Sequence, residues 1–354
     1  MQNRSLQSPI SVVDLFCGIG GLSHGLERMG FNVVAGYDTD ASCRYAYESN
    51  NKATFFEKDV AEISGNELKN HFSNNTISVL VGCAPCQPFS TFSNSKKSKP
   101  KDKRWKLLQE FKRLVKESQP DIVSMENVPH LARQSVYDDF VSSLKNQNYQ
   151  VSASIIHCPA YGIPQTRRRL VLLASKIGPI EMITATHETE NISVADAIGH
   201  LPAIEAGTTA EHDPLHRSQN LSDINLRRIR QSKPGGTWRD WDDELILPCH
   251  RKKSGSTYAS VYGRMRWDKP GPTITTQFIL YGTGRFGHPA QDRAISLREG
   301  ALLQTFPPNY RFAKKGGNIS LSGVARQIGN AVPVRLGEVI GESIKNSLLK
   351  MNLI

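Results

Sequence analysis

Ser11-Val-Val-Asp-Leu-Phe16 runs directly into Cys17-Gly-Ile-Gly-Gly21, an apolar stretch that ends in a cluster of glycines. A short buried strand that breaks at glycines and re-enters as a helix is the opening of a strand–helix–strand unit. Gly21 to Met29 supplies that helix, with Leu22, Leu26 and Met29 on one face and Gly30 as its stop. Phe31-Asn-Val-Val-Ala35 reads as the second strand and ends at Gly36-Tyr-Asp-Thr-Asp40. Further strands are expected at Ile77-Ser-Val-Leu-Val81, Asp121-Ile-Val-Ser-Met125 and Arg169-Leu-Val-Leu-Leu-Ala174, with a helix over Leu107 to Glu117. The alternation predicts a doubly wound α/β domain on a parallel sheet.

Such a sheet binds ligands beyond the carboxyl ends of its strands, so the residues there carry the functional reading. Glycines let the loop after the first strand approach a ligand closely, and the following helix N-terminus favours a negative group. A tight turn that binds nothing and a nicotinamide dinucleotide site are alternatives. The aromatic Phe16 ahead of the glycines distinguishes this loop from G-x-G-x-x-G and favours S-adenosylmethionine. Asp38, at the end of the second strand, is placed for ribose hydroxyls, and Asp59, near the end of the third, for an adenine amino group.

Gly82-Cys-Ala-Pro-Cys-Gln-Pro-Phe-Ser90 follows another strand end. Pro85 and Pro88 stiffen the backbone around Cys86, which fixes where its thiol points. A thiol attacks only as thiolate and needs positive charge nearby. Ser95 to Arg104 (SKKSKPKDKR) and Gln165 to Arg169 (QTRRR) could supply it. The other cysteines are scattered, so a disulfide framework is not expected, and Cys17, Cys43 and Cys158 read as small buried hydrophobes. Cys83 and Cys86 lack the second pair of ligands that a zinc site wants, and no metal is expected.

Bulk properties agree with a polyanionic partner. Across 354 residues Lys and Arg number 44 against 33 for Asp and Glu, a net charge of +11. No stretch approaches the ~20 apolar residues of a membrane span. With no apolar signal segment at the start, the expected location is the cytoplasm.

DLFCGIGG, PCQPFS, MENV at Met125 to Val128, QTRRR, RAISLREGALLQTFP at Arg293 to Pro307 and QIGNAV at Gln327 to Val332 occur in this order along the chain. Their order and approximate spacing resemble the DNA (cytosine-5) methyltransferase family over nearly the whole chain. The resemblance implies a covalent mechanism, in which Cys86 adds to C6 of cytosine and so makes C5 nucleophilic toward a methylsulfonium. It implies Glu126 as the acid at N3, and Arg169 and Arg167 as the arginines near O2; Arg168 is expected to face away. It implies Phe16, Gly18, Gly20, Gly21, Leu22, Asp38, Thr39, Asp59, Val60, Pro85, Leu107, Asn330 and Val332 as residues that bind the methyl donor. Asp38 and Thr39 depart from the commoner glutamate and large apolar residue at those positions. Chemistry at C6 requires a flipped base in double-stranded DNA.

By the same resemblance, Ser90 to Arg104 corresponds to the family's catalytic loop, with Lys96, Lys97 and Arg104 on phosphate and Gln87 near the vacated base. The domain divisions expected are 1–177 for catalysis and cofactor, 178–290 for target recognition, and 291–354 returning to the first domain. In the recognition region Arg264 and Arg285 are candidates for base-edge contacts, and Tyr281 to His288 for a loop that enters a groove. Trp238 and Trp241 read better as core. A transfer RNA methyltransferase of the same family is disfavoured by PCQPFS and the full-length recognition region. A silent DNA-binding relative is disfavoured because Cys86, Glu126 and the glycines are all present. A nicotinamide oxidoreductase leaves PCQPFS and MENV unexplained. A monomer suffices for one flipped base, and a separate restriction endonuclease is the partner that the family's commonest setting implies.

Overall fold

A computed structural model describes residues 10–85 and 105–354. The chain divides into two compact units: one holds the chain up to His157, Arg168–Ala185 and Val332–Ile354, and the other holds Cys158–Arg167 and Thr186–Ala331.

The first unit alternates as the sequence predicts. Its elements are β1 (Ile10–Leu15), α1 (Gly21–Arg28), β2 (Asn32–Asp38), α2 (Arg44–Asn50), β3 (Thr54–Glu57), α3 (Gly65–Lys69), β4 (Ile77–Gly82), α4 (Trp105–Ser118), β5 (Ile122–Asn127), α5 (Ser135–Lys145), β6 (Gln150–His157) and β7 (Arg168–Ser175). The seven strands form one sheet in the order β3-β2-β1-β4-β5-β7-β6. β1 to β5 run parallel, whereas β7 is antiparallel to both β5 and β6. The doubly wound, mainly parallel sheet expected from the sequence is present, with one antiparallel strand, β7, inserted between β5 and the edge strand β6. Strand direction is set by the connection, and an apolar run such as Arg169 to Ala174 reads the same both ways.

β1 and β5 are buried along their whole length, as strands covered on both faces must be. Phe111, Leu114, Phe140, Leu80, Val123 and Leu172 fill one core beneath the sheet. On α1, Gly25 leaves no room for a side chain, since a Cβ there would stand 2.4 Å from the Val334 carbonyl oxygen. This lets α1 pack backbone to backbone against the last helix of the unit, which begins at Val334.

The second unit holds α6 (Val194–Ile198), β8 (Thr209–Ala210), β9 (Asp213–Arg217), α7 (Asp223–Gln231), α8 (Pro248–Arg251), α9 (Leu297–Leu303) and α10 (Leu321–Asn330), joined by long irregular stretches. α11 (Val334–Lys350) returns to the first unit. The chain thus rejoins the first unit at Val332 and not near residue 291. The reason is the burial of α9: Arg298 pairs with Asp213 of β9, Ser296 bonds to His216, and a Cβ on Gly300 would collide with the Phe278 ring. Trp238 and Trp241 lie in a small core with Ile229, Leu245 and Tyr281, as expected of them. Among the described residues no helix is long and apolar enough to cross a membrane, and no His, Cys, Asp and Glu cluster could hold a metal ion.

Candidate active site

The register of the sheet sets the site. Tyr37, Leu15, Gly82 and Met125 lie abreast on β2, β1, β4 and β5. The next residue on each strand is Asp38, Phe16, Cys83 and Glu126. Three functional candidates, Asp38, Phe16 and Glu126, therefore form a row with Cys83 at the carboxyl edge of the sheet, across the point where strand order reverses between β1 and β4.

At the β1 end, Phe16, Gly18 and Gly20 all have positive φ, at 60°, 52° and 86°. The Gly20 amide donates to the Cys17 carbonyl at 2.9 Å, closing a tight turn into α1. No side chain caps α1 and no acidic residue lies in its first turn, so its leading amides face a region suited to an anion. A Cβ placed on Gly18 would meet nothing within 4 Å, which leaves open space above the loop. Asp38 Oδ2 accepts the Gly18 amide at 2.9 Å and Oδ1 accepts the Asp40 amide at 2.9 Å. Burial raises the Asp38 carboxyl above its usual range, and these two amides oppose the rise.

Beneath the loop, Asp14 is buried and accepts the Ser23 hydroxyl at 2.7 Å, while the Tyr47 hydroxyl lies 3.0 Å from the same Ser23 oxygen. Burial pushes the Asp14 carboxyl up to about 7, with the Ser23 hydrogen bond opposing it in part. Leu22 and Val60 are buried, Leu107 packs against the core, and Thr39, Asp59 and Pro85 are exposed. Asp59 Oδ1 already accepts the Ala61 amide at 2.9 Å as the cap of a short helical turn.

At the β5 end, Glu126 is 2% exposed. Its Oε1 lies 2.7 Å from Arg169 Nε, close enough for an ion pair although the N–H does not point along that line. Its Oε2 accepts the Cys83 thiol at 2.7 Å. The neighbouring Asn127 donates through Nδ2 to the Ala84 carbonyl at 3.0 Å, which ties the exit of β4 to the end of β5. Sequence reasoning weighed Cys83 only as a zinc ligand and passed over Asn127; their places just beyond β4 and within MENV were the available signals. Cys86, Gln87, Ser90, Lys96, Lys97 and Arg104 lie outside the described residues. Arg168 is exposed, and the Arg169 Nη1 donates to its carbonyl at 2.8 Å.

Arg167 belongs to the second unit, where it is buried and donates to the Ile274 carbonyl at 3.2 Å. Asn330, also of that unit, is exposed at the end of α10, while Val332 is buried in the first unit. Gln165 is buried, and its side chain bonds Leu303, Gln304 and Ile274.

Two residues proposed for base contacts have other employment. Arg264 is 5% exposed and donates to the carbonyls of Ile229, His288 and Gln291 and to Asp292. A guanidinium so enclosed and so fully bonded staples the second unit together, which corrects its reading as a DNA contact. Arg285 is half-buried and donates to the Gly236 carbonyl. The stretch from Tyr281 to His288, read as a groove-entering loop, instead buries Tyr281, Phe286 and His288.

The family model for C-5 cytosine-specific DNA methylases matches residues 10–346. The chain is 56% identical over 342 residues to the type II methylase M.HgiDII of Herpetosiphon aurantiacus, covering 96% of each. It is 30% identical to the type II methyltransferase M1.HphI of Haemophilus parahaemolyticus, over 97% of this chain and 87% of that one. Among solved structures, Entamoeba histolytica methyltransferase EhMeth superposes with a TM-score of 0.65 at 18% identity, over 96% of this chain and 98% of that chain. A prophage-encoded protein of E. coli described as a DNA modification methyltransferase gives 0.72 at 22%, over 96% and 99%; both likenesses concern the fold. The glycine loop, the β4 exit and the buried glutamate of β5 thus sit within a match that spans nearly the whole chain, and this protein belongs to the C-5 cytosine-specific DNA methylase family.

Proposed function

We propose that this DNA (cytosine-5)-methyltransferase acts on one cytosine of a specific duplex site, turned out of the helix, through a covalent bond between Cys86 and C6. The observation that carries the reading is the Glu126 carboxylate, buried at the carboxyl edge of β5 and bracketed by Arg169 and Cys83. A carboxyl set at the carboxyl edge of the sheet is placed to meet a ring nitrogen of a base in the cleft.

In this reading the Cys86 thiolate donates its electron pair to C6, forming the S–C6 bond. The C5–C6 π electrons move onto C5 and the ring, and Glu126 holds a proton at N3 to stabilise the charge. The Arg169 guanidinium offsets negative charge beside that acid. Once C5 carries the methyl group, loss of its proton to a base re-forms the double bond and expels the thiolate, restoring both the ring and Cys86.

The donor we assign is S-adenosylmethionine, which supplies an electrophilic methyl group on a sulfonium. Its carboxylate suits the uncapped start of α1 and the open space over Gly18, and its ribose suits Asp38. Phe16, Gly20, Gly21, Leu22 and Val60 line that end of the row, and Thr39, Asp59, Pro85, Leu107, Asn330 and Val332 complete the proposed set. Partnership with a separate restriction endonuclease is part of the proposal, supported by the type II names of the relatives.

Transfer of tritiated methyl groups from S-adenosylmethionine to duplex DNA and to transfer RNA, with and without Cys86→Ser, tests this. Label is expected in DNA alone, lost with serine, and trapped covalently when the target cytosine carries fluorine at C5. Full incorporation by the serine variant would remove the covalent mechanism.

A further inference from the structure

The two oxygens of Glu126 are held by different means. Arg169 attracts Oε1 from 2.7 Å without an aligned hydrogen bond, so it gives charge but little direction. Among the described residues, the hydrogen bond to this carboxylate comes from the Cys83 thiol at 2.7 Å. This pairing follows from register, since Gly82 and Met125 are partners on parallel strands and Cys83 and Glu126 are the residues after them. Asn127 reinforces it by holding the Ala84 carbonyl, so the backbone on either side of the thiol is fixed to β5 and, through the Cys83 amide, to Leu15.

A buried carboxylate takes its rotamer from the donors that reach it, and here the aligned donor among the described residues is the Cys83 thiol. We propose that Cys83 is a positioning residue for the methyl-transfer reaction: its thiol fixes the Glu126 carboxylate in the orientation that meets the target pyrimidine. The proposal rests on the reading of Glu126 as the acid at N3. It gives a function to the first cysteine of the C-x-x-C pair, distinct from that of Cys86. Sulfur suits the task because the longer carbon–sulfur bond spans from strand to strand. A thiol is also a weak donor and gives up the carboxyl readily when the base arrives.

Initial rates of methyl transfer into DNA at saturating donor would be measured for the full chain and for Cys83→Ala, Cys83→Ser, Cys83→Val, Glu126→Gln and the double variant Cys83→Ala/Glu126→Gln, with melting temperatures recorded. Loss of the donor is expected to lower kcat roughly tenfold, with KM for DNA within about twofold, because a hydrogen bond to a charged group is being removed. Serine is expected to recover most of that loss, and valine, which fills the space without donating, to behave as alanine. In the Glu126→Gln background, Cys83→Ala is expected to change the residual rate little. Equal rates for serine and valine, an effect confined to KM, or an undiminished effect in the Glu126→Gln background would overturn the proposal. Should alanine impair folding, the serine and valine pair decides alone. Full activity of Glu126→Gln would instead overturn the reading of Glu126; a dead Glu126→Gln beside an unaffected Cys83→Val would overturn only the role given to Cys83.

Discussion

Asp38 Oδ2 accepts the backbone amide of Gly18 across 2.9 Å, so the proposed ribose-binding carboxylate also holds the glycine loop in place. The second oxygen holds the Asp40 amide. One side chain therefore has two tasks, shaping the loop and meeting the ligand. Asp38→Ala is expected to weaken S-adenosylmethionine binding at least tenfold in titration calorimetry, since a charge-assisted bond is lost and the loop amide is freed. Gly20 adds a steric control. With φ of 86° and a Cβ that would lie 2.4 Å from Asn51 Nδ2 and 2.9 Å from Tyr47, Gly20→Ala should lower the melting temperature as well as abolish binding, whereas Gly18→Ala, at φ 52° with its Cβ in the space assigned to the donor, should lose binding with a smaller fall in melting temperature. Equal falls in melting temperature at the two glycines would refute this account of the loop.

Asp14 introduces a pH dependence. Its folded carboxyl titrates at about 7 because burial disfavours the anion, against an ordinary value of 3.8. Between those two values the folded state holds a proton that the unfolded state has released, so stability falls as pH rises. Above 7 the whole cost stands, on the order of a few kcal/mol. Asp14→Asn removes that charge and keeps an oxygen to accept from Ser23. The variant should melt about 5 °C above the parent at pH 8.5 and only about 2 °C above it at pH 5. A gain of the same size at both pH values would show that titration of Asp14 is not the cause.

These effects were legible in the sequence to unequal degrees. β1, β4 and β5 announce themselves because strands buried on both faces read as unbroken apolar runs, and Gly20 reads as a turn because few residues adopt its φ. β6 escaped notice: it is an edge strand with exposed Gln150, Ala153, Ile155 and His157, and such a pattern resembles a loop. The bond from Cys83 to Glu126 joins residues 43 apart and depends on strand register, which composition does not carry. Arg264 misled for a physical reason. An arginine in a Gly- and Trp-rich stretch of a basic chain suggests phosphate or a base edge, yet its partners are chiefly main-chain carbonyls, which every sequence contains.

The second unit should lose stability in mild acid through His288. Its Nδ1 accepts the amides of Ala290 and Gln291 at 3.2 and 2.9 Å, so that nitrogen must stay unprotonated, and its Nε2 faces Glu299 at 3.6 Å. Burial lowers its titration to about 4; Glu299 opposes this, and the charges of Arg293 and Arg264 add to it. As pH falls from 6.5, the unfolded imidazole takes up a proton that the folded one refuses, so stability declines down to about 4. By pH 5 that decline is roughly 2 kcal/mol at 1.36 kcal/mol per unit. Burial alone would raise the Glu299 carboxyl, but the two Arg293 bonds of 2.7 Å outweigh it and leave it below its usual value of 4.5. Its own acid loss therefore begins below the window from pH 7.5 to 5. Urea midpoints for the parent and for His288→Gln across that window isolate the histidine: the variant is expected to be weaker at pH 7.5 and to lose less than the parent on going to pH 5. Parallel declines would place the acid sensitivity elsewhere in the unit.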